Sequence, residues 1–428
     1  MKIRNAVLTV VLAGLFGSAA SAQNATIRPS PEFPVRATPR SAEEQQAFFE
    51  VQNASTPRDM LRESNDFLSD YIDSEYRHLV LFYEWRARGE LGQDVDNIEP
   101  VVRRAIEAQN HFLTMKLSFI DDPSQVEELP EVQFTLANRE GLFYQSLVEG
   151  YLAEGDFDAV MEYGELALAA LEDATGKFEA VGTPGTPEYD QQVEVLRGSR
   201  LFVLNTMLDR FIEEEEFDEI VRVGSRIVEI SPDTFVLRTI MQGYQDQGNT
   251  DETLAWGRRL LEASPDDLNT LIAVSLILSE QEPGDDAAAH WQETRDYAAR
   301  ASEQLDVFLA GPDSASLNDN QKDDLITDVN TTLGFAALQI QEFPESAAAI
   351  RKALEGSPED ANLYSMLAIA EQGNRSLEGM MSALARAVYL DHPDDNLRAS
   401  LTAIYQNVNG STDGLEGYIE SQGDAIGN

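Results

Sequence analysis

The side chains able to do chemistry are four histidines and a large excess of acids; the 428-residue chain contains no cysteine. His78, His111, His290 and His392 are scattered along the chain without the His-x-x-x-His or His-Glu-x-x-His spacing that places two imidazoles on one zinc. Thiol catalysis and disulfides are excluded. No Gly-x-Ser-x-Gly elbow, Walker loop or Gly-x-Gly-x-x-Gly turn is present. The run Glu213-Glu214-Glu215-Glu216 reads as a solvated helix end. Asp313, Asp319, Asp323 and Asp324 share one segment, but their spacing fails the calcium-loop pattern. No catalytic residue, metal site or cofactor is expected from these residues.

Acids number 76 against 31 lysines and arginines, a formal charge of −45. Such a field repels nucleic acid and anionic lipid. Five of the 31 cations are lysines. Abundant acid with little lysine suits a protein bathed in salt. Self-repulsion is then expected to weaken the fold in dilute buffer, and salt to screen it. An unchanged melting temperature between low and molar salt would remove that expectation.

Met1-Lys2-Ile3-Arg4, an apolar run from Ala6 to Phe16, and Ala20-Ser21-Ala22 form a secretory leader, cleaved after Ala22. The apolar run is too short for a permanent span, so no integral membrane segment remains after cleavage. An exported, periplasmic or extracellular protein is expected. Residues 23–40, with Pro29, Pro31, Pro34 and Pro39, read as an extended linker. Ser41 caps the first helix.

The elements that would hold any site repeat at a period of about 34 residues: Leu204–Pro232, Leu237–Pro265, Asn330–Pro358 and, more loosely, Tyr364–Pro393. An earlier copy, Tyr144–Leu171, lacks the closing proline. In the copy ending at Pro358, Leu333, Ala337 and Ile340 form one helical stripe. Gln341-Glu342-Phe343-Pro344 is a turn, Ser346–Leu354 a second helix, and Gly356-Ser357-Pro358 its stop. A fixed period in this range means stacked helix pairs.

The pattern resembles the tetratricopeptide repeat. The residues that carry the resemblance are Leu333, Gly334, Phe343, Ala353 and Pro358 in one copy. In others they are Met207, Leu208, Phe211, Phe217 and Pro232, and Ile240, Tyr244, Gly248, Leu260 and Pro265. The earliest copy has Leu147, Tyr151, Gly155, Phe157 and Ala167. Gly164, Gly224 and Gly257 recur at one phase of the second helix, where they depart from the pattern; they are read as points of close helix approach. The resemblance implies an all-α solenoid, a right-handed superhelix of antiparallel helix pairs. Divergent helical repeats are expected over 41–142 and the array over 143–425, with insertions at about 172–197, 282–290 and 311–324. His78 and His111 are placed on helix surfaces.

The resemblance further implies that first helices line a concave groove for a protein or peptide segment. By repeat phase the groove residues are Gln145, Glu149, Asn205, Asp209, Arg238, Gln242 and Gln245, with Thr331 and Phe335 further along. The expected function is a non-enzymatic exported scaffold. An envelope hydrolase with acids on an inserted loop and a small-ligand carrier using Tyr144, Tyr151 and Phe211 are the alternatives.

Overall fold

The computed structural model describes residues 35–426. The leader, its cleavage site and residues 23–34 of the linker lie outside them. Among the described residues all regular structure is helical, eighteen α-helices and two short 3-10 turns. None of these helices is long and apolar enough to cross a membrane.

The chain divides into two units, residues 1–231 and 232–428. The first holds α1 (Ala42–Gln52), α2 (Pro57–Asp70), α3 (Arg77–Glu90), α4 (Val95–Leu117), α5 (Leu129–Glu154), α6 (Phe157–Val181), α7 (Pro187–Glu213) and α8 (Phe217–Ile230). The second holds α9 (Thr234–Asp246), α10 (Thr250–Ala263), α11 (Leu268–Glu280), α12 (Ala287–Ala310), α13 (Asp319–Gln339) and α14 (Phe343–Gly356). It ends with α15 (Ala361–Gly373), α16 (Leu377–Tyr389), α17 (Asp395–Asn409) and α18 (Leu415–Gly423). In both, odd-numbered first helices alternate with even-numbered second helices.

The repeat lies as much in its turns as in its core. Five first helices end on one left-handed residue: Gly155, Glu215, Gly248, Gln341 and Arg375, with φ between 57° and 79°. The next amide reaches back to the same carbonyl each time: Asp156 to Tyr151, Glu216 to Phe211, Asn249 to Tyr244, Glu342 to Ala337 and Ser376 to Glu371, at 2.8–3.0 Å. This main-chain bond satisfies a carbonyl orphaned by the helix end and sets where the second helix begins. It uses no side chain, which is why glycine, glutamate, glutamine and arginine share the position.

Two recurrent glycines sit at close approaches. A Cβ on Gly164 would lie 2.9 Å from Met207 Sδ, and one on Gly257 would lie 2.7 Å from Val274 Cγ2. In each case the neighbour belongs to the following first helix. Second helices are also strapped to one another. Arg222 and Arg226 of α8 meet Glu165 and Glu172 of α6 at 2.7 and 2.8 Å. In the second unit Arg258 binds Glu293, and Arg295 binds Glu345, both at 2.8 Å. These pairs are half exposed, so each is worth under about 1 kcal/mol.

Several sequence expectations need correcting. The boundary at 142/143 falls inside α5, a single helix of 26 residues. The insertion at 172–197 is mostly helix: only residues 182–186 break it, and the remainder lengthens α6 and α7 to 25 and 27 residues. Phe134, Ala137, Leu171, Ala174, Phe178 and Leu196 give this extension its own apolar cluster. In the segment 311–324, residues 319–324 form the first turns of α13, started by a capping box between Asn318 and Gln321. The described end of the linker is docked rather than free. Val35 is buried, Thr38 donates to Glu75, and Arg36 pairs with Glu128 at 2.8 Å.

Candidate functional site

Each predicted groove residue sits on a first helix, two on α5, two on α7 and three on α9, and their burial differs. Gln145 is buried; its Nε2 donates to Glu149 Oε1 at 3.2 Å, and its Oε1 has no partner. The reason is the crowding of α5. Trp85 of α3 donates to Ser146, Gly150 faces Val95 of α4, and Gly141 faces Leu171 of α6. Little of α5 is left to line a groove. Phe335 is likewise drawn inward, edge-on to Trp291 at 5.3 Å.

Five predicted residues are exposed. On α7, Asn205 and Asp209 lie opposite the buried Leu204, Met207, Leu208 and Phe211. Partial burial, then repulsion from Glu213, pushes the Asp209 carboxyl above its ordinary value. On α9, in the other unit, Arg238, Gln242 and Gln245 follow i, i+4, i+7 spacing on the face away from Leu237, Ile240 and Met241. Arg238 is paired with Asp267, whose carboxylate also caps α11 through Thr270 at 3.0 Å. Burial opposes ionisation of Asp267, but bonds from Thr270 and Arg238 prevail and hold it below the usual carboxylate range. Gln242 donates to Asp246 at 2.9 Å.

The densest polar chemistry lies elsewhere, in α3, α4 and α5. Glu84 is completely buried and accepts Arg88 at 2.7 Å and Arg104 at 3.1 Å. Buried Lys116 pairs with half-buried Glu75 at 2.7 Å, and Thr38 adds its amide and hydroxyl to the same carboxylate. Burial alone would raise Glu75; the bonds from Lys116 and Thr38 outweigh it and lower the carboxyl. His78 is not on a surface. It is 4% exposed, stacked on Phe112 at 4.2 Å, with Nδ1 2.9 Å from the Glu75 carbonyl. A carbonyl can only accept, so Nδ1 carries the proton and Nε2 is left as an acceptor. Burial, then the nearby Arg139 charge, pulls this imidazole down to about 3. Arg139 lies over the Phe82 ring at 4.9 Å, and burial lowers it to about 10. Gln109, 2% exposed, has no partner for either amide atom.

Beside this interior opens a cleft of about 440 Å³. The segment before α1, the α2–α3 loop, α3 and α4 wall it, with Arg40, Arg77, Arg104, His78 and Phe112 among its residues. The signal that could have exposed the region is on α4. Its buried stripe, Val101, Ala105, Gln109, Phe112 and Lys116, carries polar residues at core phase. Glu99 adds a second network above it: Tyr163 donates to it at 2.6 Å, and Tyr151 and Arg103 bind it too. Among the described residues no group of three or more acids or imidazoles is placed to hold a metal.

Period, paired helices and shared turn define an all-α helical repeat of the tetratricopeptide type. No protein-family model matches the chain, and no curated protein matches it either. Several solved structures resemble it. MamA (residues 41 to the end) from Desulfovibrio magneticus RS-1 is 15% identical and covers 45% of this chain and 93% of its own, with a TM-score of 0.30. TTC0263, a thermophilic TPR protein in Thermus thermophilus, is 14% identical over 48% of this chain and 98% of its own, TM-score 0.24. The TPR2AB domain of yeast Sti1, solved as a pHSP90 complex, is 11% identical over 85% and 97%, TM-score 0.23.

Proposed function

We propose that this chain is an exported, non-enzymatic scaffold that binds an extended protein or peptide segment along exposed faces of its first helices. The observation that carries this reading is the face of α9. Arg238, Gln242 and Gln245 form a polar row over a fully apolar underside, and Asp267 holds the guanidinium in place. A fixed row of donors and acceptors suits main-chain amides of an extended partner, because little side-chain entropy remains to be lost on binding. Asn205 and Asp209 offer a shorter row on α7. The −45 charge favours a basic partner and a saline external medium.

The test is an array of extended basic, neutral and acidic peptides probed with residues 23–428 at low and molar salt. Selective binding of basic peptides is expected. Replacing Arg238 and Gln242 together with alanine should weaken that binding about tenfold while leaving the melting temperature unchanged. Equal binding by the double variant, or retention of no peptide, would sink the reading.

A further inference from the structure

The cleft beside His78 holds an unusual balance of charge for so acidic a chain. Of its three guanidinium groups, Arg104 is committed to Glu84, whereas Arg40 and Arg77 have no carboxylate partner among the described residues. They come from different elements, the segment before α1 and the first turn of α3. Of the three carboxylates at the cleft, Glu75 is consumed by Lys116 and Thr38, leaving Asp73 and Glu107 at the exposed rim. On the other side, Ala108, Phe112 and Met115 of α4 make an apolar wall. Phe112 is fixed by its stacking on His78.

We propose that this cleft binds a small monocarboxylate with an apolar body, its carboxylate between Arg40 and Arg77 and its body on Phe112 and Met115. The volume lies within the roughly 300–1,000 Å³ of small-ligand sites. Two guanidinium groups without a carboxylate partner, Arg77 donating only to the Ile72 carbonyl at 3.4 Å, can bracket one carboxylate with charge-assisted hydrogen bonds. Asp73 and Glu107 at the rim disfavour a second negative charge, so a phosphate monoester is selected against. His78 adds no charge at neutral pH and holds the Phe112 ring in place. The site shares no residue with the faces of α7 and α9 proposed above to bind peptide.

The experiment is isothermal titration of residues 23–428 with four probes: 3-phenylpropionate, 3-phenylpropanamide, phenyl phosphate and N-acetylglycylphenylalanine. Saturable 1:1 binding of 3-phenylpropionate is expected, with the amide and the phosphate each about tenfold weaker. Arg77→Gln and, separately, Arg40→Gln should each weaken the carboxylate about tenfold at an unchanged melting temperature. Neither guanidinium supports another carboxylate, and the one bond lost is the 3.4 Å contact from Arg77 to the Ile72 carbonyl, so the melting temperature is expected to hold. No heat from 3-phenylpropionate, equal affinity for its amide, or indifference to both substitutions overturns the assignment. Tighter binding of the acetylated dipeptide than of the free acid also overturns it and makes the cleft a receptor for chain ends.

Discussion

Helices α3–α5 and α13–α16 have related architecture and opposite interiors. In α13–α16 the core is alanine, leucine and isoleucine: Ala347, Ile350, Ala353, Leu363, Ala370, Leu384 and Ala387 are all buried. Most polar groups admitted there are bonded, the exceptions including Thr331 Oγ1 and Arg386 Nε. Ser346 donates to the Gly334 carbonyl, Asn330 meets Ser302 and the Ile326 carbonyl, and Glu371 meets Arg351. In α3–α5, Glu84, Lys116, His78, Gln109 and Arg139 enter the interior; Gln109 goes unbonded and Arg139 has no carboxylate partner. Burying polar groups without partners is unfavourable. The difference teaches that the regular repeats are held mainly by apolar packing, while the divergent ones admit ionisable groups to the interior.

That contrast can be broken most forcefully at Ile350. Ile350→Ala should cost about 3 kcal/mol by urea unfolding, with the same loss at pH 8 and pH 5. A loss that grows in acid would show a hidden titratable dependence in the regular repeats.

In α3–α5 the pH dependence should be built in. His78 has its imidazole pulled from 6.5 to about 3 in the folded chain. Between those values the unfolded chain takes up a proton that the folded chain refuses. Stability is therefore full above about 6.5 and falls as pH drops, by up to about 1.4 kcal/mol per unit. His78→Phe keeps the ring stacked on Phe112 and should flatten the fall between pH 6.5 and 5 relative to the parent. Parallel slopes for the two proteins would refute the buried neutral imidazole. The Glu75 carboxyl, held low by Lys116, contributes in the same direction but in stronger acid.

The smallest effect sharpens the comparison at the turns, which both regions share. Gln341 and Arg375 occupy left-handed φ of 63° and 59° where glycine would be unstrained. Gln341→Gly should stabilise the chain by about 0.5–1 kcal/mol, read as a raised urea midpoint with an unchanged m-value. Destabilisation would mean that the glutamine side chain contributes more than its backbone conformation costs.

The regular repeats were legible because their signals are local and mutually consistent. Leu333 and Ala337 at helical spacing, the turn before Pro344 and the stop at Pro358 each specify one element. Residues 311–324 misled because Asp, Asn and Gly look like a loop, yet Asn318 and Asp319 are also ideal helix starters. In residues 172–197 the strong loop signal from Gly182 to Pro187 marks the break, but it is silent on the helix that continues on both sides. The groove was only half legible. Repeat phase placed Asn205, Arg238, Gln242 and Gln245 outward, but could not reveal that α5 has neighbours covering Gln145. His78 was missed for the same reason. A lone histidine in an aromatic stretch gives no local hint that Phe112, Arg139 and Glu75 close over it from other elements.

The long helices α5, α6 and α7 carry one further consequence. At 1.5 Å per residue their 25 to 27 residues span about 40 Å, against about 21 Å for the 14-residue α8. The overhang is a ledge cemented by six apolar side chains, continuous with the helices below and strapped to α8 through Arg226 and Glu172 at 2.8 Å. Such a ledge can fray and re-form as a cooperative unit without disturbing the stack beneath it. Its amides would then exchange with solvent long before those around Leu147 and Val160, giving the same three helices two distinct lifetimes.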